Sequence, residues 1–286
     1  MTQPPTQPDK RSRRRVLLWV VVAWGVVVGG LAAWGVWHEP ATVPEQRSAE
    51  QALPAFRAAV GSLFAAAGGP GRAVVLGGLQ VQSGCRVTPV RHGVALTRDV
   101  TVYVRAGEQR ADIEAIAAGL PGGYKAQVTA SRGGTQFTLH ADAGSFIAVD
   151  LQADVGDSAL TVEVSSGCRP VGDAGVDRAD PSVGPAPAAL QAVLTLFGVP
   201  GPTSAADTPG KVTTQGVGCP RGGTAGTWSV GAVKAPGDWR KRLGAVASGS
   251  AVVRSDPTRW AYRTGGDSVV VVSDGTGLRV SVSSSC

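Results

Sequence analysis

The nine residues Leu160 to Cys168, Leu-Thr-Val-Glu-Val-Ser-Ser-Gly-Cys, return as Leu278 to Cys286, Leu-Arg-Val-Ser-Val-Ser-Ser-Ser-Cys. Further back, Gln82-Ser-Gly-Cys85 is matched by Gly216-Val-Gly-Cys219. Each pair follows an apolar helical segment that ends in Phe and Gly, with Phe64 lying 21 residues before Cys85 and Phe197 lying 22 before Cys219. Similar order at similar spacing argues for two copies of one domain, which restricts the fold more than any single motif could. The expected domains are 48–168 and 188–286, joined by 169–187.

In the first copy, Leu53, Phe56, Val60, Leu63 and Phe64 recur at three- and four-residue spacing, predicting a helix over 48–67 that Gly68-Gly69-Pro70-Gly71 stops. Strands are expected at 73–85 and 99–105, a second helix at 107–120, and strands at 124–131, 136–141, 146–153 and 159–165. The second copy repeats this with helices at 188–197 and 237–247 and strands at 211–219, 227–233, 251–255, 259–263, 267–273 and 278–283. Helices set among strands joined by short turns predict two tandem α+β domains, each an antiparallel sheet with helices on one face. The segment 169–187, with Pro170, Pro181, Pro185 and Pro187, reads as a semi-extended, solvated spacer.

Each copy holds two of the four cysteines, which is a disulfide count suited to an oxidising compartment. Of three connectivities, duplication favours Cys85 with Cys168 and Cys219 with Cys286, each closing one copy. There is no Cys-x-x-Cys and no ligand-type His nearby, so no metal is expected there.

What carries the chain to such a compartment is the run Val16–Trp37, 22 residues without a charge. As a helix it covers roughly 33 Å, enough to cross a hydrocarbon core about 30 Å thick. Lys10, Arg11, Arg13, Arg14 and Arg15 precede it, while no basic residue follows until Arg47. This asymmetry predicts a basic cytoplasmic tail (1–15), a single span (16–37), a juxtamembrane linker (38–47) and export of the rest. The rival is a cleaved signal peptide, but the run exceeds the usual apolar core of about 7–15 residues and Leu31-Ala32-Ala33 is a poor cleavage site. The tail is too short and polar to be expected to fold. Within the span, Gly25, Gly29 and Ala33 form a small-residue face on which two helices can approach, the basis for an expected homodimer.

The net charge of +6 and pI near 9.5 invite a nucleic-acid reading. Residues 1–15 alone carry five basic groups and one acidic, however, so most of that charge belongs to topology and anionic lipid. Nucleic acid is accordingly excluded as a partner. The bias of 22 Arg to 5 Lys in a chain rich in Ala, Gly and Val suggests a GC-rich bacterial genome and hence a cell envelope.

No Gly-x-Ser-x-Gly, His-Glu-x-x-His or phosphate-binding Gly-rich loop occurs. Ser145, His140 and Asp142 could be written as a triad, yet three residues so close on one strand and turn are not expected to converge. Asp173, Asp177 and Asp180 suggest calcium only faintly, and no cofactor is expected. The copies differ in charge: residues 45–168 carry 10 basic and 11 acidic groups, residues 188–286 carry 10 and 5. Arg240, Lys241 and Arg242 replace Glu108, Asp112 and Glu114 on the second helix, and Arg259, Trp260, Tyr262 and Arg263 alternate on one strand. These seven residues are the expected partner surface, for an acidic wall polymer or an envelope protein. The expected function is a tethered binding or scaffold module. A cell-wall hydrolase or transferase, needing a pocket where carboxylates such as Asp142 or Asp150 converge, and a sensor acting through a membrane partner are the alternatives.

Overall fold

In the computed structural model the apolar run becomes α1 (Lys10–His38), within which Arg15–Trp34 has a mean hydropathy of 2.4 and no buried residue. The structure describes residues 10–38, 47–172, 175–199 and 211–286. Part of the basic tail is therefore helical, contrary to expectation. Once a long helix is nucleated, each further residue adds one hydrogen bond, and Lys and Arg are good helix formers. Residues 1–9 of the tail and 39–46 of the juxtamembrane linker lie outside the described residues. A helix of this length and composition marks a membrane anchor or a signal sequence.

Glu45–Cys286 forms a second compact unit. It opens with α2 (Ala49–Ala67), whose start is a capping box: the Ser48 hydroxyl accepts from the Gln51 N–H at 3.3 Å, and the Gln51 side chain accepts from the Ser48 N–H at 3.0 Å. Then come β1 (Ala73–Leu76), β2 (Gln80–Thr88), β3 (Arg91–Tyr103), α3 (Gln109–Gly119), β4 (Gln127–Ser131), β5 (Gln136–Asp142), β6 (Ala148–Asp154) and β7 (Ala159–Arg169). They make an antiparallel sheet ordered β1-β3-β7-β6-β5-β4, with β2 also on β3. The second half contains α4 (Ala188–Leu196), β8 (Val212–Gly218), β9 (Thr224–Val233), α5 (Trp239–Val246), β10 (Ala251–Ser255), β11 (Arg259–Thr264), β12 (Asp267–Ser273) and β13 (Leu278–Ser283). Its sheet is ordered β8-β9-β13-β12-β11-β10. Both halves thus run helix, outer strand, long strand, helix and four-strand meander, with the last strand returning to the long one.

Two expected elements are redrawn. The strand predicted over 73–85 is broken at Gly77, where the chain runs so close to β3 that a Cβ would stand 3.1 Å from the Asp99 carbonyl oxygen. The stretch before Asp99, which lies outside the predicted elements, is the first part of the 13-residue β3. At the end of α5, Val246 is exposed, while Ala247, just past the helix, is buried.

The expected disulfides are present, with Cα–Cα separations of 5.8 Å for Cys85–Cys168 and 5.4 Å for Cys219–Cys286. Each joins the two strands that flank a common middle strand, β3 in the first half and β9 in the second. Across β3, Cys85 stands opposite Gly93 and Cys168 opposite Ala95, and at Gly93 a Cβ would lie 2.2 Å from the Arg169 carbonyl oxygen.

The halves do not hang on a spacer; they pack. One face of the first sheet lies under α2 and α3, and one face of the second under α4 and α5. At the β1 end the other faces meet, with Ala73 and Tyr103 against Val253, Ala261 and Val270. Helix α2 also touches β8, so closely that a Cβ on Gly61 would lie 2.1 Å from the Gly218 carbonyl oxygen. Such double contact explains why α2 is apolar nearly all round.

The expected spacer is a strap clamped to both halves. Asp180 accepts two hydrogen bonds from the buried Arg98 guanidinium, at 3.0 and 2.7 Å, and a third from the Gly216 N–H at 2.9 Å. Arg57 grips the strap at Asp177 and the Ala179 carbonyl. Val183 and Ala186 pack on the second core.

Candidate functional site

Burying one face of the first sheet on α2 and α3 leaves the opposite face of its meander open. Register then sets side by side residues far apart in sequence: Gln127 opposite His140, His140 opposite Asp150, Asp150 opposite Glu163, and Glu163 opposite Asp99. Directly opposed residues carry Cβ atoms about 4.5–5.5 Å apart, so this is a continuous row across five strands. Three neighbours in it are carboxylates. His140 Nδ1 lies 2.6 Å from Asp150 Oδ1, whereas Asp99 and Glu163 make no ion pair with a described residue. Burial, then the neighbouring Asp99 and Asp150 charges, push the Glu163 carboxyl above its ordinary value.

Beside this row is an open groove of about 510 Å³, lined by His140, Asp150 and Glu163 and walled by the β5–β6 turn with Asp142, Ser145 and Phe146. Ser145 and Phe146 both have left-handed backbones, with φ of 53° and 57°, an uncommon state for residues with a Cβ. The turn is held by Asp142, which accepts from the Gly144 N–H at 2.8 Å, and by the buried Arg169, which donates to the Ser145 carbonyl. Phe146 is thereby displayed with 54% of its surface exposed.

The groove gathers Ser145, His140 and Asp142, but not as a triad. The imidazole is paired with Asp150, and Asp142 is engaged in the turn. Asp150 and Glu163 were missed as a pair because nothing in sequence spacing joins them; only the register of β6 and β7 does.

The expected partner surface divides. Arg240, Lys241 and Arg242 are exposed on α5, Arg242 with Nε 2.7 Å from Asp238. The β11 residues are occupied: Tyr262 is 1% exposed, its hydroxyl pushed by burial up to about 12, and Trp260 packs on the second core. Arg259 reaches Ser158 of the first half at 2.8 Å, and Arg263 reaches the Arg72 carbonyl at 3.3 Å. On β11 the expected partner surface is thus replaced by a core strand whose arginines reach across to the first half. Of the acidic trio, Asp173 lies outside the described residues, and Asp177 and Asp180 are held by arginines rather than poised for calcium. No cluster of metal-ligating side chains exists among the described residues. On α1, Gly25 and Gly29 face open space.

A second cleft, of about 500 Å³, lies between α2, α3 and the Cys219–Cys286 bridge. Its walls are mostly Ala and Gly, and its Arg72 is engaged by Asp112 and the carbonyls at the end of α2.

No protein-family model matches this chain, and no curated protein matches it. Among solved structures it is similar to a DUF4853 family protein from Actinomyces odontolyticus. The two are 19% identical over 49% of this chain and 80% of the other, with a TM-score of 0.33. At that level neither architecture nor activity carries across.

Proposed function

We propose that the chain is a membrane-anchored, extracytoplasmic binding protein of a bacterial cell envelope, and that its ligand surface is the acid-lined groove of the first half. The observation that carries this is the row Asp150, Glu163, Asp99. Like charges set directly opposite on neighbouring strands destabilise a sheet, and no ion pair with a described residue relieves Asp99 or Glu163. A basic segment of another envelope protein would relieve them, with the displayed Phe146 ring offering a face to a Lys or Arg side chain. Support for duplication comes from the shared strand order and the equivalent disulfides. The basic flank of α1 supports an amino end in the cytoplasm, and the two disulfides support export of the rest.

The test is calorimetric titration of the detergent-solubilised full chain with a lysine-rich peptide. Binding that weakens with added salt and is abolished in Asp150→Asn/Glu163→Gln supports the reading; equal affinity in the variant overturns it.

A hydrolase acting on the cell wall is a second reading, favoured by one observation: Glu163, raised by burial, stands opposite a second carboxylate, as general acids do. Release of soluble fragments from purified wall, lost in Glu163→Gln, would move the assignment there.

A further inference from the structure

Strands β2 and β3 run on past the rest of the first sheet as a hairpin. Beyond the Cys85–Gly93 pair, Arg86 stands opposite His92 and Thr88 opposite Arg91, with Pro89 and Val90 at the turn. At about 3.3 Å per residue the tip stands roughly 13 Å beyond the disulfide. Val90 is 92% exposed, the most exposed large apolar side chain among the described residues. Arg86, Arg91 and His92 are exposed, and none of their side chains makes a hydrogen bond or ion pair with a described residue. No acidic residue occurs from Gln80 to Arg98. An apolar tip ringed by unpartnered cations is the chemistry of an element that sits in an anionic membrane interface.

Where the hairpin lies in the unit supports that occupant. The Ala49 N–H, at the start of α2, donates to the Pro170 carbonyl at 2.9 Å. Pro170 follows Arg169, which pairs with Val94 at the base of the hairpin, and Cys168 is bonded to Cys85. The entry of the chain into the unit and the root of the hairpin are therefore at one end. Ser48 follows the end of α1 by only ten residues.

We infer that the β2–β3 hairpin is a second membrane contact, inserting Pro89 and Val90 among anionic headgroups while Arg86 and Arg91 bind their phosphates. This rests on the reading of α1 as a retained anchor.

The experiment is hydrogen exchange of the full chain in nanodiscs of phosphatidylcholine, alone or mixed with phosphatidylglycerol. Each arginine is expected to favour the anionic surface about fivefold, about 25-fold together. The peptide covering Arg86–His92 should exchange more slowly in the anionic discs, and the difference should vanish in Arg86→Gln/Arg91→Gln. Benzoylphenylalanine in place of Val90 should photocrosslink to lipid. Equal exchange in both lipids with α1 protected, or a crosslink to protein, overturns the contact. An unprotected α1 overturns the anchor first and the contact with it. Both variants alter only exposed side chains, so unchanged thermal unfolding is the fold control.

Discussion

Gly61 distinguishes fused halves from beads on a string, because the two arrangements give opposite signs for one substitution. In an isolated helix Gly→Ala stabilises by about 1 kcal/mol. In the structure a Cβ at Gly61 would stand 2.1 Å from the Gly218 carbonyl oxygen, more than 1 Å inside ordinary contact, and the obstacle is backbone of the other half. Neither a rotamer change nor a local shift removes it; α2 and β8 must separate. Overpacking of this kind costs about 1–3 kcal/mol. Since a domain of 150–250 residues loses about 2–4 °C per kcal/mol, the Gly61→Ala melting temperature should fall by several degrees. Gly244 in α5 is the matched control, for its Cβ would meet only Trp260, at 3.6 Å, and Gly244→Ala should raise the melting temperature. Thermal unfolding of the full chain followed by circular dichroism reads both. A rise for Gly61→Ala would refute the packing of α2 against β8.

Removing the strap's buried cation should be costly: Arg98→Met leaves Asp180 partly buried with only the Gly216 N–H, and urea unfolding should show a loss of about 3–5 kcal/mol. Glu163 has a folded-state pKa above its unfolded one, so the unfolded chain releases its proton first and stability falls as pH rises through that interval. Glu163→Gln should accordingly melt higher than wild type at pH 7, with the gain disappearing below about pH 4. The disulfides close loops of 83 and 67 residues, for which the chain-entropy model gives about 4–5 kcal/mol each. Non-reducing mass spectrometry should find no free thiol and no bridge between the halves, and reduction should lower the melting temperature by well over 10 °C.

Much of this fold was legible in the sequence where local pattern and burial agree. The strands β10, β12 and β13 fall where alternation and turn residues put them, and the two cysteine pairs follow from the repeat. Legibility failed where a partner distant in sequence decides. Arg91–Arg98 contains three charged or titratable residues and a glycine, which give no strand signal, yet β2 on one side and β7 on the other make it a strand. The strap looks solvated by composition, and only Arg98, 82 residues before Asp180, shows otherwise. The acidic row is the extreme case. Asp99, Asp150 and Glu163 have no common spacing, and they become neighbours through the order and register of three strands. Conversely, Trp260 and Tyr262 carry an alternation compatible with a partner surface or a core strand, and packing under α4 and α5 decides for the core.

Because α2 walls both halves at once, the boundary suggested by the repeat is a poor place to cut the chain. A fragment ending near Arg169 would bare the side of α2 that β8 covers, and one beginning near Ala188 would bare Val217 and Ala225, which belong to the first core. A substitution on one side of that shared wall is then felt by the other, each half being constrained by its neighbour's backbone as much as by its own.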